Sequence, residues 1–236
     1  MSRGSRGTLK KNRQLRRGKV QRIRRKKVVG EVRVRETLEN QEPRVQKNTV
    51  VFLDICSSSK ILSQCIQQAK LDSYQDMLVR IKNFLAEQEL SGRCEVYKFI
   101  GDGWILLLPF TVSGKELMDL LYEICEFADG EMAKLKLERP LKLLGLTLGV
   151  EKGELVQLAM KERHEYLGRP LNVAARLQSA VKDGDDDPAY KLFFTESTYK
   201  DLRIPKTFQV ETKNLKLRNI EDDEIPCVKV TILNRD

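Results

Sequence analysis

The chain has 236 residues, enough for one sizeable hydrophobic core. Lys and Arg outnumber Asp and Glu by 43 to 34, a formal charge of +9. Residues 1–30 hold thirteen of those bases and no acid, which leaves 30 basic against 34 acidic residues beyond them, so the positive excess describes a tail and argues against a nucleic-acid-binding core.

Residues 1–30 are largely Arg, Lys, Gly and Ser. Such a segment cannot bury enough apolar surface to offset its ordering entropy, which predicts disorder in isolation. Nucleic acid, anionic lipid and an acidic protein are all open to it as partners, although no aromatic residue is interleaved to stack on bases. Residues 31–48 read as a linker interrupted by Pro43. The expected organisation is a basic tail and linker over 1–45 and one domain over 46–236.

A first strand is expected over Thr49–Ile55, an apolar run interrupted by Asp54 and followed by Cys56, Ser57, Ser58 and Ser59. A buried strand does not accept an unpaired carboxylate cheaply, so Asp54 needs a partner. Tyr74, Met77, Leu78, Ile81, Phe84 and Leu85 recur at helical spacing and predict one amphipathic helix over 61–89, ended by Ser91-Gly92. Two β-rich runs, 95–100 and 104–109, are then hinged on Gly101-Asp102-Gly103, which predicts a tight hairpin with Asp102 at its tip. An isolated Gly-Asp-Gly is no more than good turn chemistry. With Asp54 closing another strand, the two aspartates can instead share divalent metals.

Leu117, Leu120, Leu121, Ile124 and Ala128 mark a second helix, and 141–150 a strand broken by Gly145 and Gly149. A helix over 171–181 carries Asn172 and Arg176, and 183–188 is an acidic loop. A strand end and short helix follow over 193–202, with closing strands at 208–211 and 227–233. The order predicts an α+β fold, a sheet covered by helices on one face.

The five cysteines (Cys56, Cys65, Cys94, Cys125 and Cys227) are odd in number, widely spaced and without a CxxC, which argues against both a disulfide framework and a zinc site. A single histidine, His164, excludes His-rich metal sites. The longest wholly apolar run, Trp104–Leu108, is far too short to cross a bilayer, and the basic start lacks the apolar segment of a secretory signal. A cytoplasmic protein is predicted.

Four stretches in order resemble the catalytic domain of class III adenylate/guanylate cyclases over about residues 46–233. Phe52-Leu-Asp54-Ile-Cys-Ser-Ser-Ser59-Lys60 is similar to the family's first metal-binding segment and Tyr97-Lys98-Phe-Ile-Gly-Asp102-Gly103 to its second. Gly145-Leu-Thr-Leu-Gly149 resembles its glycine-spaced strand, and Glu165-Tyr-Leu-Gly168-Arg-Pro-Leu-Asn172-Val-Ala-Ala-Arg176-Leu the segment that completes the site. The resemblance implies a ferredoxin-like fold, an antiparallel-rich sheet with helices packed on it.

It also implies the chemistry. The ribose 3′-hydroxyl of a nucleoside triphosphate attacks its own α-phosphate and pyrophosphate leaves, giving the 3′,5′-cyclic nucleotide, a second messenger. Two divalent ions per site, Mg²⁺ or Mn²⁺, suit hard oxygen donors; by resemblance those donors are Asp54, Asp102 and the Ile55 carbonyl. Backbone amides and hydroxyls over Cys56, Ser57, Ser58 and Ser59 are implied to hold phosphates. Asn172 and Arg176, four apart on one helix face, are implied to orient the ribose and to stabilise charge on the α-phosphate. The family's C-terminal phosphate-binding Lys, usually followed by Gly, has its nearest counterpart in Arg218-Asn219, with Lys216 as the rival.

In the family the metal half of each site is completed by Asn and Arg of another chain, which implies a head-to-tail homodimer with two shared sites. Lys98 and Glu165 match the two positions that read the base. A donor beside an acceptor complements adenine or cytosine, and guanine and uracil present the opposite pattern. The extra methylene of Glu165, where Asp or Thr is commoner, tilts the pocket toward a pyrimidine. Stand-alone chains of this kind resemble both solitary bacterial adenylate cyclases and the pyrimidine cyclases of anti-phage signalling, which make cyclic CMP or cyclic UMP. A catalytically inactive nucleotide-binding module is the reading from another class, although such chains usually lack one metal aspartate and this one has both. No contact with a downstream cyclic-nucleotide effector is implied.

Overall fold

The computed structural model describes residues 42–138, 144–160, 163–183, 187, 189–220 and 223–233. The expectations for the tail and for most of the acidic loop fall outside these residues. The chain divides into two compact units. The larger comprises 45–156 and 167–236; the other includes 157–166.

An eight-stranded sheet runs in the order β2-β3-β1-β4-β6-β8-β7, with β5 paired to β4. Its strands are β1 (Arg44–Ile55), β2 (Glu95–Ile100), β3 (Gly103–Pro109), β4 (Leu146–Met160), β5 (Arg163–Leu167), β6 (Lys191–Thr195), β7 (Gln209–Leu215) and β8 (Ile225–Thr231). The helices are α1 (Ser58–Gln67), α2 (Leu71–Leu90), α3 (Gly114–Ala133), α4 (Arg169–Asp183) and α5 (Glu196–Leu202). β1–β3, β2–β3, β6–β8 and β7–β8 pair antiparallel, while β4–β6 is parallel. The fold is α+β with an antiparallel-rich sheet, as the sequence predicts.

Several boundaries move. β1 starts at Arg44, inside the stretch expected to be linker. The single helix expected over 61–89 is two: the chain breaks at Gln68–Lys70, where Ala69 takes φ 53° and the Lys70 ammonium donates to the carbonyls of Leu135 and Lys136. Strand β5 and the extension of β4 beyond Val150 were not expected. Their sequence, Glu151–Met160 and Arg163–Leu167, mixes charged and apolar residues without strict alternation.

The large core joins β1, β3, β4, β6 and β8 to α1, α2 and α3, with Phe84 and Phe127 stacked 4.3 Å apart between the two long helices. α3 begins in a capping box in which the Ser113 hydroxyl accepts from the Glu116 amide and the Glu116 carboxylate accepts from the Ser113 amide. One face of the sheet was expected to carry all the helices; in fact α4 lies on the other. Along β6, Leu192 and Phe194 enter the large core while Phe193 joins Val173, Leu177 and Val181 of α4. A strand buried on both faces needs cover on both, and α4 supplies the second.

The seat of α4 is set by Gly149 on β4. A Cβ there would lie 2.1 Å from the Ala174 carbonyl oxygen and 2.4 Å from the Gln178 nitrogen, so backbone meets backbone. Gly149→Ala should therefore lower stability by about 1–3 kcal/mol through overpacking, read as a lower midpoint in urea unfolding. An unchanged midpoint would show that α4 does not sit on this strand.

Candidate active site

The β1–β3 register pairs Asp54 with Gly103, so the acid ending β1 stands beside the turn that carries Asp102. The Ile55 amide donates to the Asp102 carbonyl at 3.2 Å, and the Ser58 hydroxyl donates to the Asp102 carboxylate. Gly101 takes φ +76° with open space around it, the left-handed turn conformation that glycine adopts without strain. A Cβ on Gly103 would fall 2.5 Å from the Leu53 carbonyl oxygen and 3.1 Å from Asp54 Oδ1, so a side chain there would press on the acid. On the other strand of the hairpin, a bulge at Tyr97 shifts the β2–β3 register between Val96 and Lys98.

Tyr74 of α2 lies within electrostatic reach of both acids. Burial pushes its phenol above the ordinary range, and the charges of Asp102, Cys65 and Asp54 push it further. Asp54, Asp102 and Tyr74 thus share one electrostatic neighbourhood. Among the described residues no cluster of three or more His, Cys, Asp and Glu side chains is present. Two carboxylates on adjacent strand ends, with main-chain carbonyls beside them, form an all-oxygen donor set. That chemistry fits a hard divalent cation rather than zinc or copper.

After Asp54 the chain turns through Ser57, at φ 55°, into α1. The four residues expected to cradle phosphates separate here. The Cys56 amide donates to the Gly145 carbonyl at 2.8 Å, and its side chain is buried. Ser57 and Ser58 are half-buried and Ser59 exposed at the start of α1.

Asn172 and Arg176 are both exposed on α4, while Val173, Ala174, Leu177 and Gln178 of the same helix are buried. They therefore share one face, and it points away from the Asp54 side. The inward face brings a residue that the sequence reading passed over. Gln178 Nε2 donates to Thr147 Oγ1 at 2.7 Å and to Asp54 Oδ2 at 3.3 Å, and the Thr147 hydroxyl donates to the Asp54 carbonyl at 3.4 Å. A polar residue in the buried stripe 174-177-178-181 was its only signal in the sequence.

Lys98 is half-buried on β2, its ammonium 5.5 Å from the Tyr97 ring centroid. Glu165 belongs to the other unit, where it pairs with Arg163 at 2.9 Å beside the Gln157–Tyr166 hydrogen bond. Arg218 and Lys216 are both exposed on either side of buried Leu217, and Asn219 takes φ 60°. All five cysteines are free and buried; burial raises the thiols of Cys94 to about 11 and of Cys227 to about 12, which keeps them protonated. No helix among the described residues is long and apolar enough to cross a membrane.

A family model described as the adenylate and guanylate cyclase catalytic domain matches residues 40–222. Among solved structures, the adenylyl cyclase CyaB from P. aeruginosa superposes with a TM-score of 0.62 at 18% identity, covering 83% of this chain and 99% of that one. A bacterial light-regulated adenylyl cyclase gives 0.63 at 18%, covering 84% of this chain and 55% of that one. The guanylyl cyclase Cya2 gives 0.60 at 14%, with 80% and 94% covered. At these identities the likeness is one of fold. No curated protein matches the sequence.

The site geometry has a direct spectroscopic consequence. Asp102→Asn removes the leading negative charge beside Tyr74, so the phenol should titrate at lower pH. The change is read as phenolate absorbance, with Tyr74→Phe identifying the transition. An unmoved Tyr74 titration would show that the acid and the phenol are not neighbours.

Proposed function

The chain belongs to the adenylate and guanylate cyclase catalytic-domain family, and on that premise we propose that it is a nucleotide cyclase using two divalent metal ions per site. The observation that carries this reading is the β1–β3 register, which sets Asp54 and Asp102 at one end of adjacent strands. Asp54, Asp102 and the Ile55 carbonyl would hold the ions, Mn²⁺ or Mg²⁺. When bound, such ions lower the pKa of the attacking hydroxyl and neutralise the triphosphate.

The protein's own residues then fold one flexible molecule into reactive shape. The bond from the ribose 3′-oxygen to the α-phosphorus forms, the bond to pyrophosphate breaks, and the hydroxyl proton is lost. Because nucleophile and electrophile belong to one substrate, positioning and charge neutralisation carry most of the catalysis. Ser57, Ser58 and Ser59, at the start of a ten-residue helix, would meet phosphate oxygens. Asn172 would orient the ribose and Arg176 would stabilise charge on the α-phosphate. Arg218 is favoured over Lys216 as the C-terminal phosphate contact. Asn219 after it takes φ 60°, a left-handed conformation that glycine also adopts readily, which supports that choice.

The exposure of Asn172 and Arg176 on the outward face of α4 supports a site completed by a second copy of the chain. Lys98 and Glu165 would read a base with a ring-nitrogen acceptor and an amino donor, cytosine or adenine. We favour a pyrimidine triphosphate because the extra methylene of Glu165 would shorten a pocket formed there. A pyrimidine product would connect the chain to anti-phage signalling, while ATP would make it an adenylate cyclase.

Incubation with each of the four nucleoside triphosphates and Mn²⁺, followed by product identification, tests the activity and the base. Cyclic CMP is the expected product. Cyclic AMP would reassign the base, and no cyclic product from any triphosphate would overturn the cyclase reading. Asp54→Ala or Asp102→Ala should reduce turnover on the order of a thousandfold or more with the melting curve retained. Either variant keeping near-normal activity would remove that carboxylate from the site.

The shared site is tested by co-expression. Asp54→Ala and Arg176→Ala chains should each be inactive alone, since each lacks half of every site. In a mixed dimer one site carries both lesions and the other neither. Activity should return to roughly a quarter of the unmodified level for freely assorting subunits of a symmetric dimer. Demonstrably mixed dimers without recovery would assign Asp54 and Arg176 to one chain's own site.

A further inference from the structure

We propose that Gln178 is a positioning residue for Asp54. Its side-chain amide fixes the carboxylate whose orientation metal binding depends on, so that α4 serves one site with its inward face and a second with its outward face. The proposal rests on the reading of Asp54 as a metal-binding acid.

Gln178 is 7% exposed and spends its amide on two acceptors, Thr147 Oγ1 at 2.7 Å and Asp54 Oδ2 at 3.3 Å. An amide group has two N–H donors, and both have acceptors here. The reversed amide would set its oxygen against the Asp54 carboxylate, so the charge on Asp54 selects the orientation. The triad closes through the Thr147 hydroxyl, which donates to the Asp54 carbonyl at 3.4 Å. Asp54 is thus held at both side chain and main chain.

The reach of this amide is not adjustable. Gly149 brings the Gln178 nitrogen to within 2.4 Å of where a Cβ would stand on β4, so the helix cannot slide without lifting off the sheet. Thr147 and Gly149 lie on the same strand, two residues apart, and Asp54 ends the neighbouring strand β1. The inward side of α4 is locked to the chain's own acid at one point. Asn172 and Arg176 lie exposed on its other side.

Partners that orient a metal ligand typically change affinity by about ten- to a hundredfold when removed. Gln178→Met keeps length and apolar volume and deletes both donors. Mn²⁺ binding to the full chain, read from the electron paramagnetic resonance signal of free Mn²⁺, should weaken in Gln178→Met by roughly ten- to a hundredfold, with the native circular dichroism spectrum kept. Val181→Ala removes packing from the same inward face of α4 without touching the triad, and should keep the affinity of the unmodified chain. Equal affinity in Gln178→Met and the unmodified chain would overturn the proposal and leave the metal reading standing. Equal losses in Gln178→Met and Val181→Ala would overturn it in favour of packing alone. An unmodified chain that binds no Mn²⁺ would remove the metal reading and the proposal together. If Gln178→Met does not fold, the side-chain amide resonance of Gln178 in the unmodified chain decides: a shift on adding Mg²⁺ supports the proposal, and an unmoved resonance overturns it.

Discussion

Two carboxylates that the fold forces together set the terms for the rest of this structure. The pairing of Asp54 with Gly103 leaves the acids no freedom to separate, because the strands on either side of the turn are buried from Trp104 to Leu108 and from Val50 to Leu53 apart from half-buried Phe52. Like charges held near one another repel, more strongly where water is partly excluded. A chain that needed only a turn would not accept that cost. Here the surroundings reduce it with hydrogen-bond donors, Ser58 on Asp102 and Gln178 on Asp54. Each acid is thereby fixed by a donor from another element, Ser58 from α1 and Gln178 from α4.

The elements around the pair follow from the same requirement. Ser57 turns the chain so that α1 starts just beyond the acid. The Cys56 amide ties that turn to Gly145 of the neighbouring segment. Gly149 then admits α4 against β4, and burial of Val173, Leu177 and Val181 holds it there, each worth about 1.5–3 kcal/mol. Gly149 is explained by backbone approach, the reason a strand gives up a side chain it could have packed, while Gly145 takes φ +155° against the Ala189 and Tyr190 side chains.

Much of the site was legible because its residues break local rules. An acid inside an apolar strand and a Gly-Asp-Gly between two β-rich runs each cost something in a plain core, and both stand where the sequence placed them. Asn172 and Arg176 were legible as one face through their spacing. The break at Ala69 was not, since apolar positions continue at helical spacing through it and no Gly or Pro marks it. The second covered face was hidden in Leu192-Phe193-Phe194, a short apolar run that reads the same whether one side or both are buried. Gln178 was missed because helix spacing says which residues turn inward but not what an inward amide meets. That depended on the register of β4 against β1, a long-range fact. Nothing local reveals that the Cys56 amide is bonded to Gly145, another long-range pairing.

The division of α4 into two working faces bears on why such a site would be split between chains. A helix seated backbone-to-backbone on a sheet cannot turn its outward residues toward its own chain's acids without losing that seat. Asn172 and Arg176 lie one turn apart on the exposed side, and Gln178 lies on the other. If the outward pair serves a triphosphate, the rigid arrangement requires the metal-holding acids to come from a neighbouring chain. The same rigidity then becomes useful. A fixed helix presents its Arg at a defined place, which suits the stabilisation of a charge that exists only in the transition state. The seat at Gly149 thus constrains stability and the setting of Asp54 through one backbone contact.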